Sequence, residues 1–131
     1  MIREYSIKTS REEFVNVTGR VQEALRESGV QEGLCLVYSP HTTAGITINE
    51  NADPDVRRDL LLALNKACPN WPEFLHLEGN SAAHMKALCT GSSATIPVSG
   101  GRLLLGVWQG VYFCEFDGPR QRRFYVKVIE G

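Results

Sequence analysis

The sequence predicts an α+β domain, on three observations. Strand-like and helical segments are interspersed through the first part of the chain, and strand-like segments then follow one another to its end. The last strands carry apolar side chains in both alternation classes, Tyr112, Cys114 and Phe116 against Val111 and Phe113, so both sheet faces should be covered, by helices or by another subunit. The chain has 131 residues, 43% of them hydrophobic, which suffices for one core and leaves no room for a second domain. The expected architecture is a single compact domain over residues 1–131, with a mixed or mostly antiparallel sheet and about three helices.

Each element has a local reason. Residues 2–8 alternate loosely as a strand, and Glu13 to Val17 form a second β-like stretch. Thr18 is the expected N-cap of a helix over Gly19 to Ser28, with Val21, Ala24 and Leu25 at helical spacing and Gly29 as its C′ residue. Leu34 to Tyr38 is a short apolar run closed by Ser39-Pro40, and Ala44 to Asn49 alternates as another strand. Asp53-Pro54 starts a second helix, because the carboxylate caps free N–H groups and proline at the first helical position loses no bond. That helix should run to Ala67 with an apolar face of Val56, Leu60, Ala63, Leu64 and Ala67, and Cys68-Pro69-Asn70-Trp71-Pro72 breaks it. A third helix is expected from Asn80 or Ser81 to just before Gly91, with Met85 and Leu88 facing the core. Four strands follow, Ala94–Val98, Arg102–Gln109, Val111–Phe116 and Arg122–Ile129, with turns at Ser99-Gly100-Gly101 and Asp117-Gly118-Pro119.

Composition narrows the function classes. A net charge of −1 gives no footprint for DNA or RNA, which shows as a basic excess. No stretch approaches the roughly 20 apolar residues of a membrane span, and the first residues carry no apolar signal region. The expectation is a cytoplasmic protein with neither a nucleic-acid nor a membrane partner. The four cysteines, Cys35, Cys68, Cys89 and Cys114, show no metal-site spacing and are expected as buried thiols.

The three histidines, His41, His76 and His84, all sit in polar clusters. His41 opens His41-Thr42-Thr43-Ala44-Gly45, with Glu50-Asn51 beyond, and the other two bracket His76-Leu77-Glu78-Gly79-Asn80-Ser81-Ala82-Ala83-His84. Neutral imidazole is the commonest metal-ligand side chain, and a catalytic divalent site needs three protein ligands with one position open. Glu50, Glu78 or Asn80 would then fix the ring tautomers. Spacing alone favours surface or turn histidines instead, since no HxH, HExxH or HxxxH pair occurs.

A second constellation suits phosphate. Arg120, Arg122 and Arg123 supply planar forks, and Thr42-Thr43 and Gly91-Ser92-Ser93 supply hydroxyls and backbone N–H groups at element boundaries. The plainer alternative has these arginines flanking a turn and pairing with Glu115 and Asp117. Glu115, Asp117 and Gln109 share one strand parity and would line a polar pocket, while Trp108 is expected as a core or interface anchor. No GxGxxG, P-loop or GxSxG motif is present.

Four motifs taken together, His41-Thr-Thr-Ala-Gly-Ile-Thr-Ile-Asn-Glu50-Asn51, His76-Leu-Glu78-Gly-Asn80-Ser-Ala-Ala-His84, Leu105-Gly-Val-Trp108-Gln109 and Glu115-Phe-Asp117-Gly-Pro-Arg120, resemble the YjbQ-like family, also called the secondary thiamine-phosphate synthase enzyme family. The resemblance implies a homotrimer with its polar motifs in a pocket near a subunit boundary. It implies transfer of a pyrimidine-methyl group from its pyrophosphate to a phosphorylated thiazole, and it turns the histidines from scattered residues into members of one site. His41, His76 and His84 are then the candidate ligands of a divalent metal, Zn or Mg. Glu50, Glu78, Asn80 and Arg120 are candidate catalytic residues, and Thr43, Asn51, Gln109, Glu115 and Asp117 candidate substrate-binding residues. Cys114 and Gln121-Arg122-Arg123 depart from the commoner residues at those positions. The competing expectations are a non-catalytic trimeric module for a small anionic metabolite, or a polar network that only holds the trimer together.

Overall fold

The computed structural model describes residues 1–131. In chain order the elements are β1 (Ile2–Lys8), β2 (Glu13–Asn16), α1 (Thr18–Ser28), β3 (Gly33–Tyr38), β4 (Ala44–Glu50), α2 (Pro54–Ala67), α3 (Ser81–Thr90), β5 (Ser93–Ser99), β6 (Arg102–Leu103), β7 (Gln109–Glu115) and β8 (Gln121–Glu130). The strands build two sheets, β1-β8-β3-β5-β6 and β2-β7-β4, with every neighbouring pair antiparallel. The fold is thus α+β with three helices, as the element pattern predicts.

The alternation of β7 explains the layering. Val111 and Phe113 face the larger sheet, in a core with Cys35, Val37, Ile96, Phe124 and Val126 and with Val21, Ala24 and Leu25 of α1. Tyr112 and Cys114 face the other way and pack with Phe14, Phe116, Ala83 and Ala87, against Leu60, Leu61 and Leu64 of α2. Both sides of β7 are therefore covered within one chain, by the larger sheet and by the pair α2 and α3. The outer face of the larger sheet carries no helix, and Leu34, Tyr38 and Ile129 lie exposed on it.

Several local expectations change. Thr18 is the first helical residue of α1 rather than its cap. Asn16 Oδ1 accepts from the Thr18 N–H and hydroxyl at 3.0 and 2.7 Å, which leaves Thr18 Oγ1 to accept from Val111 N–H at 2.8 Å. Gly29 does end α1 in the left-handed region, at φ 70°. Asp53 caps α2 through Asp55 N–H at 2.9 Å, but α2 buries no residue completely. Its inner face is Val56, Leu60, Leu61 and Leu64, while Ala63 and Ala67 are exposed.

In α3 the inward face is Ala82, Ala83, Lys86 and Ala87, whereas Met85 and Leu88 are exposed. Small side chains win because α3 lies close against β4. A Cβ on Gly45 would run into Thr90 Oγ1 and the Gly91 carbonyl. Lys86 is admitted because its ammonium meets Glu12 Oε2 at 2.9 Å and also Asn65 Oδ1.

The strand expected over Arg102–Gln109 stops at Leu103, because β6 pairs with β5 only through Leu103 and Arg102. The chain then turns through Gly106, and Trp108 is 63% exposed rather than in the core. Of the cysteines, Cys35, Cys68 and Cys114 are buried and Cys89 is exposed. Burial pushes the Cys35 thiol up to about 11. No helix is long and apolar enough to cross a membrane.

Candidate functional site

Three segments meet at one end of the smaller sheet. Ser39-Pro40 stops β3, and the Ser39 hydroxyl ties the following bend by donating to the Ala44 carbonyl at 3.2 Å. The connection between α2 and α3 crosses that end irregularly, closed by bonds from Phe74 N–H to Trp71 O and from Gly79 N–H to His76 O, both at 3.1 Å. The turn between β7 and β8 completes it, with a cis Gly118–Pro119 peptide. Between these segments lies an open cleft of about 390 Å³, lined by polar and charged residues apart from Pro40. His41, Thr43, His76, Glu78, Asn80, His84, Arg120 and Arg122 all face it. The three histidines share one site, as their motifs suggest.

The arrangement of charge is specific. Arg122 and Glu115 are buried together, with Nε to Oε1 at 2.7 Å and Nη2 to Oε2 at 2.6 Å. Arg122 Nη2 also donates to Thr43 Oγ1 at 2.8 Å, and Thr9 Oγ1 donates to Glu115 Oε1 at 2.6 Å. Burial works against the Glu115 charge, but the bonds from Arg122, Thr9 and the Asp117 N–H outweigh it and hold the carboxyl below its ordinary range. Asp117 is also lowered. Partial burial opposes its charge, and Asn80 Nδ2 at 2.9 Å and Arg120 at 3.0 Å override that.

Arg120 is half-exposed and fixed in direction. Its Nε donates to the Asp117 carbonyl at 2.7 Å, its Nη2 reaches Asp117 Oδ2, and Glu78 Oε2 stands 3.7 Å away. Nη1 takes no part in these bonds, so one edge of the guanidinium remains for a ligand. His41 accepts from the Arg123 N–H through Nε2 at 3.0 Å. Desolvation and the Arg122 charge push its pKa below 6.5. At neutral pH it is an uncharged imidazole whose proton lies on Nδ1. The His76 and His84 rings meet edge to face at 5.7 Å. Asn80 Oδ1 is buried without a hydrogen-bond partner, while its Nδ2 serves Glu78 and Asp117.

A metal held by the three histidines does not fit this geometry. No three His, Cys, Asp or Glu side chains converge closely enough to surround a cation. His41 has its Nε2 lone pair engaged, and two guanidiniums border the same cleft, where they repel a cation and attract an anion.

The remaining predicted residues lie elsewhere. Glu50, Asn51 and Gln109 sit at the far end of the β4–β7 ladder, where Glu50 pairs with Gln109 while Ala44 pairs with Glu115. At about 3.3 Å per residue, β4 separates the two ends by roughly 20 Å. There Glu50 Oε2 accepts from Ala52 and Asp53 N–H ahead of α2. Asn51 Oδ1 accepts from Asn16 Nδ2 at 2.6 Å, and Gln109 Oε1 closes its turn by accepting from Gly106 N–H at 2.7 Å. In one chain these three are turn and cap groups, not walls of the histidine cleft. Thr9 and the Arg123 backbone were not foreseen, since neither has a local sequence signal. Their partners lie 106 and 82 residues away.

The comparisons with known proteins agree with this fold. The family model described as UPF0047 protein YjbQ-like matches residues 3–131. UPF0047 protein YugU of Bacillus subtilis is 52% identical, covering 98% of this chain and 99% of that one. UPF0047 protein MJ1081 of Methanocaldococcus jannaschii is 54% identical, over 98% and 94%. The crystal structure of a YjbQ/UPF0047-family protein from Clostridium acetobutylicum superposes with a TM-score of 0.95 at 55% identity, covering 97% of this chain and 99% of that one. A YbjQ-like protein from Sulfolobus solfataricus gives 0.95 at 29% identity, over 100% and 97%. A match along almost the whole chain, in sequence and in shape, assigns it: the chain belongs to the UPF0047 YjbQ-like family.

Proposed function

We propose that the histidine cleft binds the phosphate group of a small metabolite, and that the chain is a group-transfer enzyme acting on such substrates. The observation that carries this reading is Arg120, a guanidinium held in one direction by Asp117 through Nε and Nη2, with Nη1 outside those bonds, at a cleft lined by polar and charged residues apart from Pro40. Planar guanidinium edges match phosphate oxygens. The neutral His41, with Nδ1–H as its donor, adds a contact that carries no desolvation penalty for a second charge.

The reaction to assay first is the one the family resemblance implies. The thiazole ring nitrogen forms a C–N bond to the methylene carbon of the pyrimidine-methyl pyrophosphate. The C–O bond to pyrophosphate breaks, and its electron pair leaves with pyrophosphate. Negative charge grows on the leaving group, where Arg120 and the His76 and His84 N–H groups stabilise it. With Glu50 at the other end of β4, Glu78 is the carboxylate of that pair that stands at the cleft, 3.7 Å from Arg120 and bonded to Asn80 Nδ2, while Asp117 orients Arg120.

Purified protein is incubated with both substrates and thiamine phosphate is followed by chromatography, alongside calorimetric titration with methyl phosphate. The expected result is product formation and saturable phosphate binding, both weakened at least tenfold in Arg120→Ala. Absence of phosphate binding in the unsubstituted protein overturns the reading. Binding with no turnover of either substrate supports the non-catalytic anion-binding module instead.

The outer face of the larger sheet bears on assembly. Ile2, Leu36, Tyr38 and Tyr125 form an apolar patch there with only Lys127 charged, and it runs up to Arg123, whose backbone holds His41. We propose this face as the seat of neighbouring copies in the homotrimer that the resemblance implies, which sets the cleft beside a subunit boundary. Sedimentation should give a trimer for the unsubstituted chain and a smaller mass for Tyr125→Glu. A monomer at the outset excludes this arrangement.

A further inference from the structure

Asn80 makes a demand that no residue of the chain meets. Its Nδ2 donates to Glu78 Oε2 at 3.0 Å and to Asp117 Oδ2 at 2.9 Å. Both partners are carboxylates, which accept only, so the amide stands one way round and Oδ1 is a fixed acceptor. That oxygen is buried with no donor against it, although the residue lines the histidine cleft. An acceptor in this state costs free energy until an N–H or O–H reaches it. Asn80 also precedes α3, where an asparagine ordinarily caps the helix, yet its side chain makes no capping bond. The Ala82 N–H is served instead by Asn70 Oδ1 at 3.2 Å, so the helix end does not account for the Asn80 oxygen.

We infer that Asn80 is a specificity-determining residue whose Oδ1 accepts a hydrogen bond from the ligand, so the cleft selects phosphate esters that carry a hydroxyl or amine close to the phosphate. This rests on the phosphate reading given above. Arg120 and Asn80 donate to one and the same acceptor, Asp117 Oδ2, so the guanidinium and the unpaired oxygen are near neighbours and one small ligand reaches both. The charges agree with a ligand that brings a donor of its own. Arg122 is offset by Glu115 and Arg120 by Asp117, and Glu78 adds a third carboxylate. The cleft thus offers directed N–H groups together with acceptors. A plain alkyl phosphate would set hydrocarbon against Oδ1 and leave it unpaired, the condition under which polar sites reject analogues that lack a donor.

The test is calorimetric titration of the full chain with n-propyl phosphate and 2-hydroxyethyl phosphate, which match in size and differ in a methyl against a hydroxyl, and with 2-aminoethyl phosphate. The hydroxyl and amino esters should each bind on the order of tenfold more tightly than the propyl ester. That ratio is read on the unsubstituted chain and stands whether or not a variant folds. Asn80→Ala should bring the hydroxyl-to-propyl ratio close to one, and Glu78→Gln should leave it in place. A propyl ester that binds as tightly as the hydroxyl ester shows that water serves Oδ1, and overturns the inference while the phosphate reading stands. A preference for the amine alone assigns the gain to the Glu78 charge and overturns it, as does a hydroxyl preference that survives Asn80→Ala. Binding of none of these esters, nor of methyl phosphate, sinks the phosphate reading and the inference with it.

Discussion

Arg122 of β8 and Glu115 of β7 belong to different sheets, and their paired hydrogen bonds at 2.7 and 2.6 Å are a buried polar link between those sheets. Their side chains are 7% and 0% exposed, so the carboxylate has no water as an alternative partner and the guanidinium meets solvent only at its edge on the cleft. Removing the arginine leaves a carboxylate stranded in the interior. Arg122→Ala should therefore lower stability by about 3–5 kcal/mol, read from urea unfolding. A loss below about 1 kcal/mol, the scale of an exposed pair, would show that water reaches the pair.

The same carboxylate shapes the acid limb of stability. Glu115 ionises at a lower pH in the folded chain than its ordinary value near 4.5, so the unfolded chain takes up its proton first as pH falls. Its contribution is complete above that value and is lost as pH drops through the folded pKa. Thermal melts of Glu115→Gln between pH 2 and 6 should show a shallower acid decline than the unsubstituted chain. An identical slope would place the titrating groups elsewhere.

His41 titrates in a different window. Desolvation and the Arg122 charge keep it neutral below the usual 6.5, so the unfolded chain binds this proton first and stability declines as pH falls from about 6.5. Proton NMR of the imidazole should give a midpoint below 6.5. A midpoint at or above 6.5 would show that burial and the Arg122 charge do not govern this imidazole.

Lys86 provides a contrast between breaking a buried pair and replacing it. Its side chain is 7% exposed and Glu12, its partner, 23%. Glu12→Ala leaves the ammonium with only Asn65 and should cost about 3 kcal/mol. Lys86→Met removes the buried charge itself and should cost less than about 1.5 kcal/mol. Chemical denaturation of the two variants decides, and equal losses would count against the buried-pair account.

The sequence carried local information well and distant information poorly. Gly29 and Asp53-Pro54 mark helix ends through backbone chemistry that acts within a few residues, and the structure keeps both. The apolar run Leu103-Leu104-Leu105 looks equally strand-like, but a strand exists only where a partner pairs with it, and β5 offers two residues. Met85 and Leu88 fit a helical apolar stripe, yet the close approach of α3 to Gly45 admits only small side chains. In the site, His76 and His84 are brought together by one short segment, so their motif was readable. Glu50 and His41 share a motif too, but the extended strand between them carries them apart. The bond from Thr9 to Glu115 spans nearly the whole chain, and no local pattern announces it.

The absence of any fully buried residue in α2 has a consequence for how the molecule breathes. β7 is enclosed on both sides, so its amides should exchange with deuterium only when the whole domain opens. Those of α2 are held by one half-covered layer and should exchange through cheaper, partial openings. The connection bearing Trp71, Phe74, His76 and Glu78 hangs from the end of that helix, so the ligand-facing wall belongs to the looser tier of the fold. A bound molecule touching both that connection and Arg120 would join the two tiers, and slower exchange in α2 would be its signature.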